Sequence, residues 1–297
     1  MRMEKLFEGV YCVSVTAFKE DESLDEERTT AHLDRVIKAG VDGVIIGGST
    51  GEFAGLSEKE RERLLRVGIE HVKGKVPVLA GGMAPSTRET IRWCRFAEDA
   101  GADGLMIVSP YYGVLTDEGL YQHFKAVSEA VHIPMMLYNN VETSGNDLNP
   151  DLLVRLTENC RNIQYIKECV DTRRIQNIIH GTKGKMKVFT GVDDLLFPGF
   201  LLGAVGVVSG AANIAPAIAA KLHRFLKEKN IEEARDLWYK YLPLANLAET
   251  SKLWISYIKA GCEMVGDPVG KPRRPLMSAS EEMKQKLRRV LKDLELI

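Results

Sequence analysis

Eight short runs rich in β-branched and apolar residues, each followed by an amphipathic stretch, constrain this chain more than any other feature. The runs are Val10–Thr16, Gly43–Gly47, Val76–Ala80, Gly104–Val108, Pro134–Tyr138, Ile163–Lys167, Lys187–Thr190 and Gly206–Ser209. Their starts lie roughly 20 to 35 residues apart, the length of a strand with its return helix. Helix signals fill the intervals: Ser57 with Glu60 three residues on suits a capping box, Pro85-Ser86-Thr87 opens another helix, and Gly40 and Gly101 fall where C-caps belong. Eight such units predict an α/β chain folded as a (β/α)8 TIM barrel rather than an open doubly wound sheet. Past about residue 228 the alternation stops, and Ile231–Glu249, Lys252–Gly261 and Ser280–Leu294 all read as helix. The expected organisation is therefore a barrel domain over 1–228 with a C-terminal helical extension over 229–297.

Composition removes several functional classes. Forty basic against forty-one acidic side chains leave a net charge of −1, and no basic block occurs, which argues against nucleic acid as a partner. The five cysteines (12, 94, 160, 169 and 262) form no C-x-x-C pair and are odd in number, so a disulfide framework or structural zinc is not expected. No long apolar stretch follows Met1-Arg2-Met3-Glu4-Lys5, so no signal peptide is expected and a cytoplasmic location fits. Leu195–Ala220 carries no charge, yet Pro198, Gly206, Gly210, Asn213 and Pro216 interrupt it. It reads as a short helix, a buried strand and the start of another helix, not as a membrane span.

In a barrel of this kind chemistry gathers at the C-terminal ends of the strands. Those ends hold Gly47-Gly48-Ser49-Thr50-Gly51-Glu52, Ser109-Pro110-Tyr111-Tyr112, Tyr138-Asn139, Lys167-Glu168, Asp193-Asp194 and Ser209-Gly210. Lys167 closes an otherwise mostly apolar strand and would face the barrel mouth. Burial disfavours an ammonium, so a lowered pKa and a nucleophilic amine are expected there. Taken singly, each feature has a plainer explanation. A strand-end lysine snorkels, Tyr111 and Tyr112 pack, and the glycines of the Gly47–Gly51 turn relieve strain. Their convergence on one mouth favours a site. The turn lacks both the phosphate-loop and the dinucleotide spacing. A metal-dependent lyase fits poorly, because the six histidines (32, 71, 123, 132, 180 and 223) fall in helices or in segments entering strands, leaving only Glu52, Asp193 and Asp194 near the mouth. No metal and no cofactor are expected.

Gly48-Ser49-Thr50-Gly51-Glu52, Pro110-Tyr111-Tyr112, Tyr138-Asn139 and Ile166-Lys167-Glu168, in this order and spacing, resemble the dihydrodipicolinate synthase / N-acetylneuraminate lyase family along nearly the whole chain. The resemblance implies a barrel with C-terminal helices, usually a homotetramer (a homodimer being the alternative), and Schiff-base chemistry on pyruvate or another 2-oxo acid. It implies that Lys167 forms the imine and that Tyr138 shuttles protons. Ser49 would link that tyrosine to Tyr112, which is lent to the neighbouring subunit. Thr50 with the backbone of the Ser49-Thr50 turn would clamp the 2-oxo acid's carboxylate, Gly48 would also bind substrate, and the carbonyl of Val208 would add a contact.

Departures from the family pattern bear on substrate. Synthases of this family carry an arginine in the loop after the strand-five tyrosine to grip the second substrate's carboxylate, and here Thr143 stands in that place. Asp193, Asp194 and Ser209 are candidate specificity residues, since carboxylates accept hydrogen bonds from sugar hydroxyls. The leading expectation is a class I lyase, aldolase or dehydratase, of a 2-oxo-3-deoxy sugar acid or similar compound. The alternatives are a 4-hydroxy-tetrahydrodipicolinate synthase condensing pyruvate with aspartate semialdehyde, and a non-catalytic barrel that binds a 2-oxo acid.

Overall fold

A computed structural model describes residues 7–249 and 252–297. Eight parallel strands close into a barrel in chain order: β1 (Gly9–Val13), β2 (Gly43–Ile46), β3 (Val78–Gly81), β4 (Gly104–Val108), β5 (Met135–Asn139), β6 (Ile163–Glu168), β7 (Lys187–Thr190) and β8 (Gly206–Ser209). The seam is the pairing of β1 with β8, from Gly9 opposite Gly206 to Cys12 opposite Ser209. Helices α1 (Glu26–Lys38), α2 (Glu58–Val72), α3 (Thr87–Asp99), α4 (Asp117–Ala130), a single turn α5 (Val141–Ser144), α6 (Pro150–Asn159), α7 (Thr172–Gly181), α8 (Leu196–Leu201) and α9 (Pro216–Lys227) connect the strands and follow the last one. Three more, α10 (Ile231–Glu249), α11 (Trp254–Met264) and α12 (Glu281–Asp293), come after them. The TIM barrel with C-terminal helices expected from the alternation is the observed architecture. No helix among the described residues is long and apolar enough to cross a membrane.

Side chains alternate across each strand with period two, and that alternation sorts the core into two layers. Tyr11, Val13, Ile45, Leu79, Met106, Val108, Met136, Tyr165, Phe189 and Val208 fill the barrel lumen. Val10, Cys12, Val44, Ile46, Leu105, Ile107, Leu137, Ile166 and Val188 point outward and pack under the helices. The same rule places Tyr138 above Met136 and Lys167 above Tyr165, both on the inner face.

Local chemistry accounts for the boundaries. Ser57 accepts from Glu60 N, and Glu60 answers to Ser57 N at 2.8 Å, so the capping box forms and α2 starts there. Five strands differ in their bounds from the sequence patterns, β2, β5 and β6 by one residue at one or both ends and β1 and β3 by more. After Ser14 N, which still reaches the Ile45 carbonyl at 2.9 Å, the groups beyond β1 turn to loops: Val15 N bonds Asn213 Oδ1 at 3.0 Å and Thr16 Oγ1 bonds the Gly51 carbonyl at 2.6 Å. β3 starts at Val78, one residue after Pro77, which has no N–H to give.

Candidate active site

β5 and β6 lie in register with Tyr138 opposite Lys167, so two inward-pointing polar side chains become neighbours at the mouth. Lys167 is 5% exposed, and its Nζ lies 4.0 Å from the centroid of the Tyr138 ring. Gly191, just beyond β7, makes room for the lysine stem. A Cβ there would stand 2.8 Å from Lys167 Cγ and 2.2 Å from Cys169 Sγ. Tyr138 Oη accepts from Asn140 Nδ2 at 3.0 Å and is hydrogen-bonded to the Ser49 side chain. These groups open into a cavity of about 1040 Å³, lined among others by Ser49, Thr50, Tyr138, Thr143, Lys167, Asp194 and Val208. A depression of about 470 Å³ between α4, α6 and α7 is lined by Asp117, Asn149 and His180 and shares no residue with it.

The Ser49-Thr50 turn is held from three sides. Gly47 has φ of +70°, and a Cβ on Gly48 would stand 2.6 Å from Val13 Cγ2, so the turn needs glycine at both positions. Glu52 N bonds the Ser49 carbonyl at 3.0 Å, and Glu52 itself sits at φ 57°. Its carboxylate is buried against Lys259 Nζ of α11 at 2.6 Å and accepts Arg273 N at 2.8 Å. Lys259 and the Arg273 guanidinium both lie 4.3 Å from the Phe18 ring centroid. A buried ion pair and two cation–π contacts thus fasten the turn to the C-terminal helices.

Electrostatics depart from the expectation of a lowered lysine pKa. Burial pulls the Lys167 ammonium down, but Tyr138, Cys169 and Glu249 outweigh it and the net direction is up. The reason is that negative charge on any of those neighbours favours the ammonium over the free amine. Burial holds Tyr138 above the usual phenol range, despite Lys167, and pushes the Cys169 thiol up to about 12. The ammonium is therefore the resting form in the neutral range, and the amine becomes a nucleophile only after handing a proton to a neighbour.

Not every residue singled out in the sequence faces the cavity. Asp193 is fully buried behind its wall, and its carboxylate accepts from Ser209 Oγ, from Gly210 N at 2.8 Å and from Ala211 N at 2.9 Å. A desolvated carboxylate gathers donors, and these occupy Asp193 and Ser209 with each other instead of with a ligand. Asp194 is the member of that pair that lines the cavity, with burial raising its pKa. Tyr112 lies away from it, fully exposed at φ 88°. Among the lining residues that carried no sequence signal for this role are Asn140, which caps α5 through Thr143 N while donating to Tyr138, Cys169, and Glu249 at the end of α10. Among the described residues one cluster has metal-ligand geometry, His32 with Cys262 and Asp267. Both ring nitrogens of His32 are already bonded, to Asp267 at 2.6 Å and Asn213 at 2.8 Å, and Arg35 Nε adds a 2.6 Å bond to Asp267. That cluster ties α1 to the β8 loop and lies outside the cavity lining.

Comparison with known proteins agrees with this geometry. The model of the dihydrodipicolinate synthetase family matches residues 6–294. A 4-hydroxy-tetrahydrodipicolinate synthase of Methanopyrus kandleri is 38% identical over 98% of this chain and 97% of its own. A putative 2-dehydro-3-deoxy-D-gluconate aldolase of Escherichia coli, YagE, is 35% identical over the full length of both. Its crystal structure with pyruvate superposes with a TM-score of 0.94 at 34% identity, covering 98% of this chain and 100% of that one. The dihydrodipicolinate synthase of Thermotoga maritima gives 0.92 at 34% identity, with 98% and 99% covered. A closed barrel, an enclosed lysine beside a tyrosine and matches running the length of the chain lead to one assignment: this protein belongs to the dihydrodipicolinate synthetase family.

Proposed function

We propose that the protein is a class I lyase that forms an imine between Lys167 and a 2-oxo acid, and that its substrate is a 2-oxo-3-deoxy sugar acid or a close analogue. One observation carries this reading: an enclosed lysine on the inner face of a strand end, next in register to a buried tyrosine, opening into a cavity of a size to take a small molecule. The amine attacks the C2 carbonyl, water leaves, and the imine draws in the electrons of the C3–C4 bond as Tyr138 takes the C4 hydroxyl proton and passes its own to Ser49. In a dehydration the same imine loses a C3 proton and then the neighbouring hydroxyl as water. Ser49, Thr50 and the backbone at Gly48 hold the carboxylate with N–H and O–H donors, and the Val208 carbonyl borders the same pocket.

Support for a sugar-acid substrate comes from the tail end of the cavity. Thr143, Asp194 and Glu249 line it, and its cations among the described lining residues are Lys167 and Lys252, with no arginine to pair a second carboxylate. The aldolase relative is named for such a substrate. Condensation of pyruvate with aspartate semialdehyde is the second reading, favoured by the names of several relatives. The proposal also takes the chain as a catalytic barrel over 1–228 with an extension over 229–297, acting in the cytoplasm as a homotetramer or homodimer in which Tyr112 of one subunit completes the relay of another.

The test is to incubate the protein with pyruvate, reduce with borohydride and map the adduct by peptide mass spectrometry. A reduced pyruvyl adduct on Lys167 is expected. Folded protein left unmodified by excess pyruvate would defeat the imine mechanism.

A further inference from the structure

Glu249 ends α10, which packs on the Asp193–Leu195 turn, and it lines the cavity on the wall that Asp193 backs. Its Oε1 accepts Asp193 N at 2.9 Å, and a side-chain hydrogen bond joins the two carboxyl groups. Two carboxyls so joined must share one proton. Asp193 has three donors on its carboxylate, from Ser209, Gly210 and Ala211, and these stabilise its anion. Glu249 has none of those three and keeps the proton, with burial first and the Asp193 charge second raising it well above the usual carboxylate range. A carboxyl whose O–H is spent on Asp193 turns only acceptor lone pairs toward the cavity, with a buried anion behind them.

We propose that Glu249 reads the tail of the substrate, so that the site takes a 2-oxo acid with a neutral, hydroxyl-bearing tail and excludes one ending in a second carboxylate or a phosphate. A hydroxyl can donate to Glu249, whereas an anion has nothing to donate and meets a buried negative charge. The other charged groups on this part of the lining point the same way in sum: Glu142, Asp171 and Asp194 are acidic, and Lys252 is the one cation there besides Lys167 among the described residues. The inference rests on the imine reading above and sharpens it, because it names which substrates the imine is built from.

Three proteins and three 2-oxo acids separate the two claims. The proteins are the wild type, Glu249→Ala and Glu249→Gln. The probes are pyruvate, which has no tail, 2-dehydro-3-deoxy-D-gluconate, which has a hydroxylated one, and 4-hydroxy-2-oxopentanoate, whose tail is a methyl group. The readout is the concentration of each acid that half-saturates borohydride trapping on Lys167. Glu249→Ala should raise that concentration about tenfold for the hydroxylated acid, the loss of one buried hydrogen bond, and less than about threefold for the other two. Glutamine can donate to Asp193 and accept from the substrate as the neutral acid does, so Glu249→Gln should stay within about threefold of wild type throughout. Equal losses on all three acids, no loss on the hydroxylated one, or a glutamine variant as poor as alanine would each overturn the assignment of Glu249 while leaving the imine intact. Absence of any pyruvate adduct on wild-type Lys167 would instead remove the imine reading and this inference with it.

Discussion

Asn140 does two jobs with one side chain, capping α5 through its oxygen and donating to Tyr138 through its nitrogen. The donor stabilises the phenolate character that Tyr138 takes on when it gives up its own proton. Asn140→Asp keeps the cap oxygen and removes the donor, which raises the Tyr138 pKa further. Exchange of pyruvate's methyl protons with deuterated solvent should then slow by about ten- to a hundredfold, the cost of losing a hydrogen bond to a charged group. Half-saturation by pyruvate should hardly change, and an exchange rate equal to wild type would mean that Asn140 serves only the loop. His123 is a second informative residue, held in α4 with Nδ1 2.9 Å from Thr87 Oγ1 and Nε2 buried without a partner. Burial depresses it from 6.5 to about 4. The unfolded chain binds this proton below pH 6.5 and the folded one only near pH 4, so its contribution is complete above 6.5 and is lost as pH falls through that window. Over the whole window that is about 3 kcal/mol. Urea unfolding at pH 7 and pH 5 should therefore show wild type losing about 2 kcal/mol more than His123→Phe, the part of the window crossed. Equal losses in the two proteins would refute it.

Elements that local chemistry specifies were readable from the chain itself. The Ser57–Glu60 box starts α2 through contacts three residues apart, and the eight apolar runs became the eight strands with ends moved by at most a few residues. Lys167 and Tyr138 were singled out by their place at strand ends and by the family resemblance, and the alternation of β5 and β6 turns both side chains into the lumen. What the sequence could not disclose depends on contacts between distant elements. Glu52 belongs to the turn after β2, yet its partner Lys259 lies on α11 and its other donor, Arg273, lies in the segment leading to α12. Asp193 and Glu249 met in the same way, a strand-end loop against a helix terminus, and the meeting reversed which of them faces the cavity. The Glu52–Lys259 pair is open to test. Lys259→Met leaves a buried carboxylate unpaired and should cost about 3 to 5 kcal/mol in urea unfolding, as should Glu52→Gln for the opposite charge. The double variant should recover most of that loss, because neither charge is then stranded. Additive losses would show that the two side chains act independently. If the pair also positions the carboxylate clamp, both single variants will need more pyruvate to half-saturate trapping on Lys167.

At the scale of the whole molecule the β4 loop stands out. Tyr112 is fully exposed, Val114 is 85% exposed and Leu115 is 39% exposed, a run of apolar side chains on the surface of one subunit. Tyr112 also holds a φ of 88°, a conformation that costs a non-glycine residue free energy and persists where something else depends on it. A net charge of −1 opposes self-association very little. A second copy covering this loop would hide the apolar run, and on the proposed reading it would bring Tyr112 toward a neighbour's Ser49 to complete the relay. On this account activity follows assembly. Sedimentation at micromolar concentration should show dimers or tetramers, and specific activity should fall on dilution as they dissociate. Val114→Asp should shift the equilibrium to monomer and lower activity together. Tyr112→Phe should leave the assembly intact and slow proton exchange alone, by about tenfold or more if the phenol takes part in general acid–base catalysis. A monomer that sediments as such at micromolar concentration with full activity would show that each chain's relay is complete on its own, and Tyr112 would then be no more than an exposed loop residue.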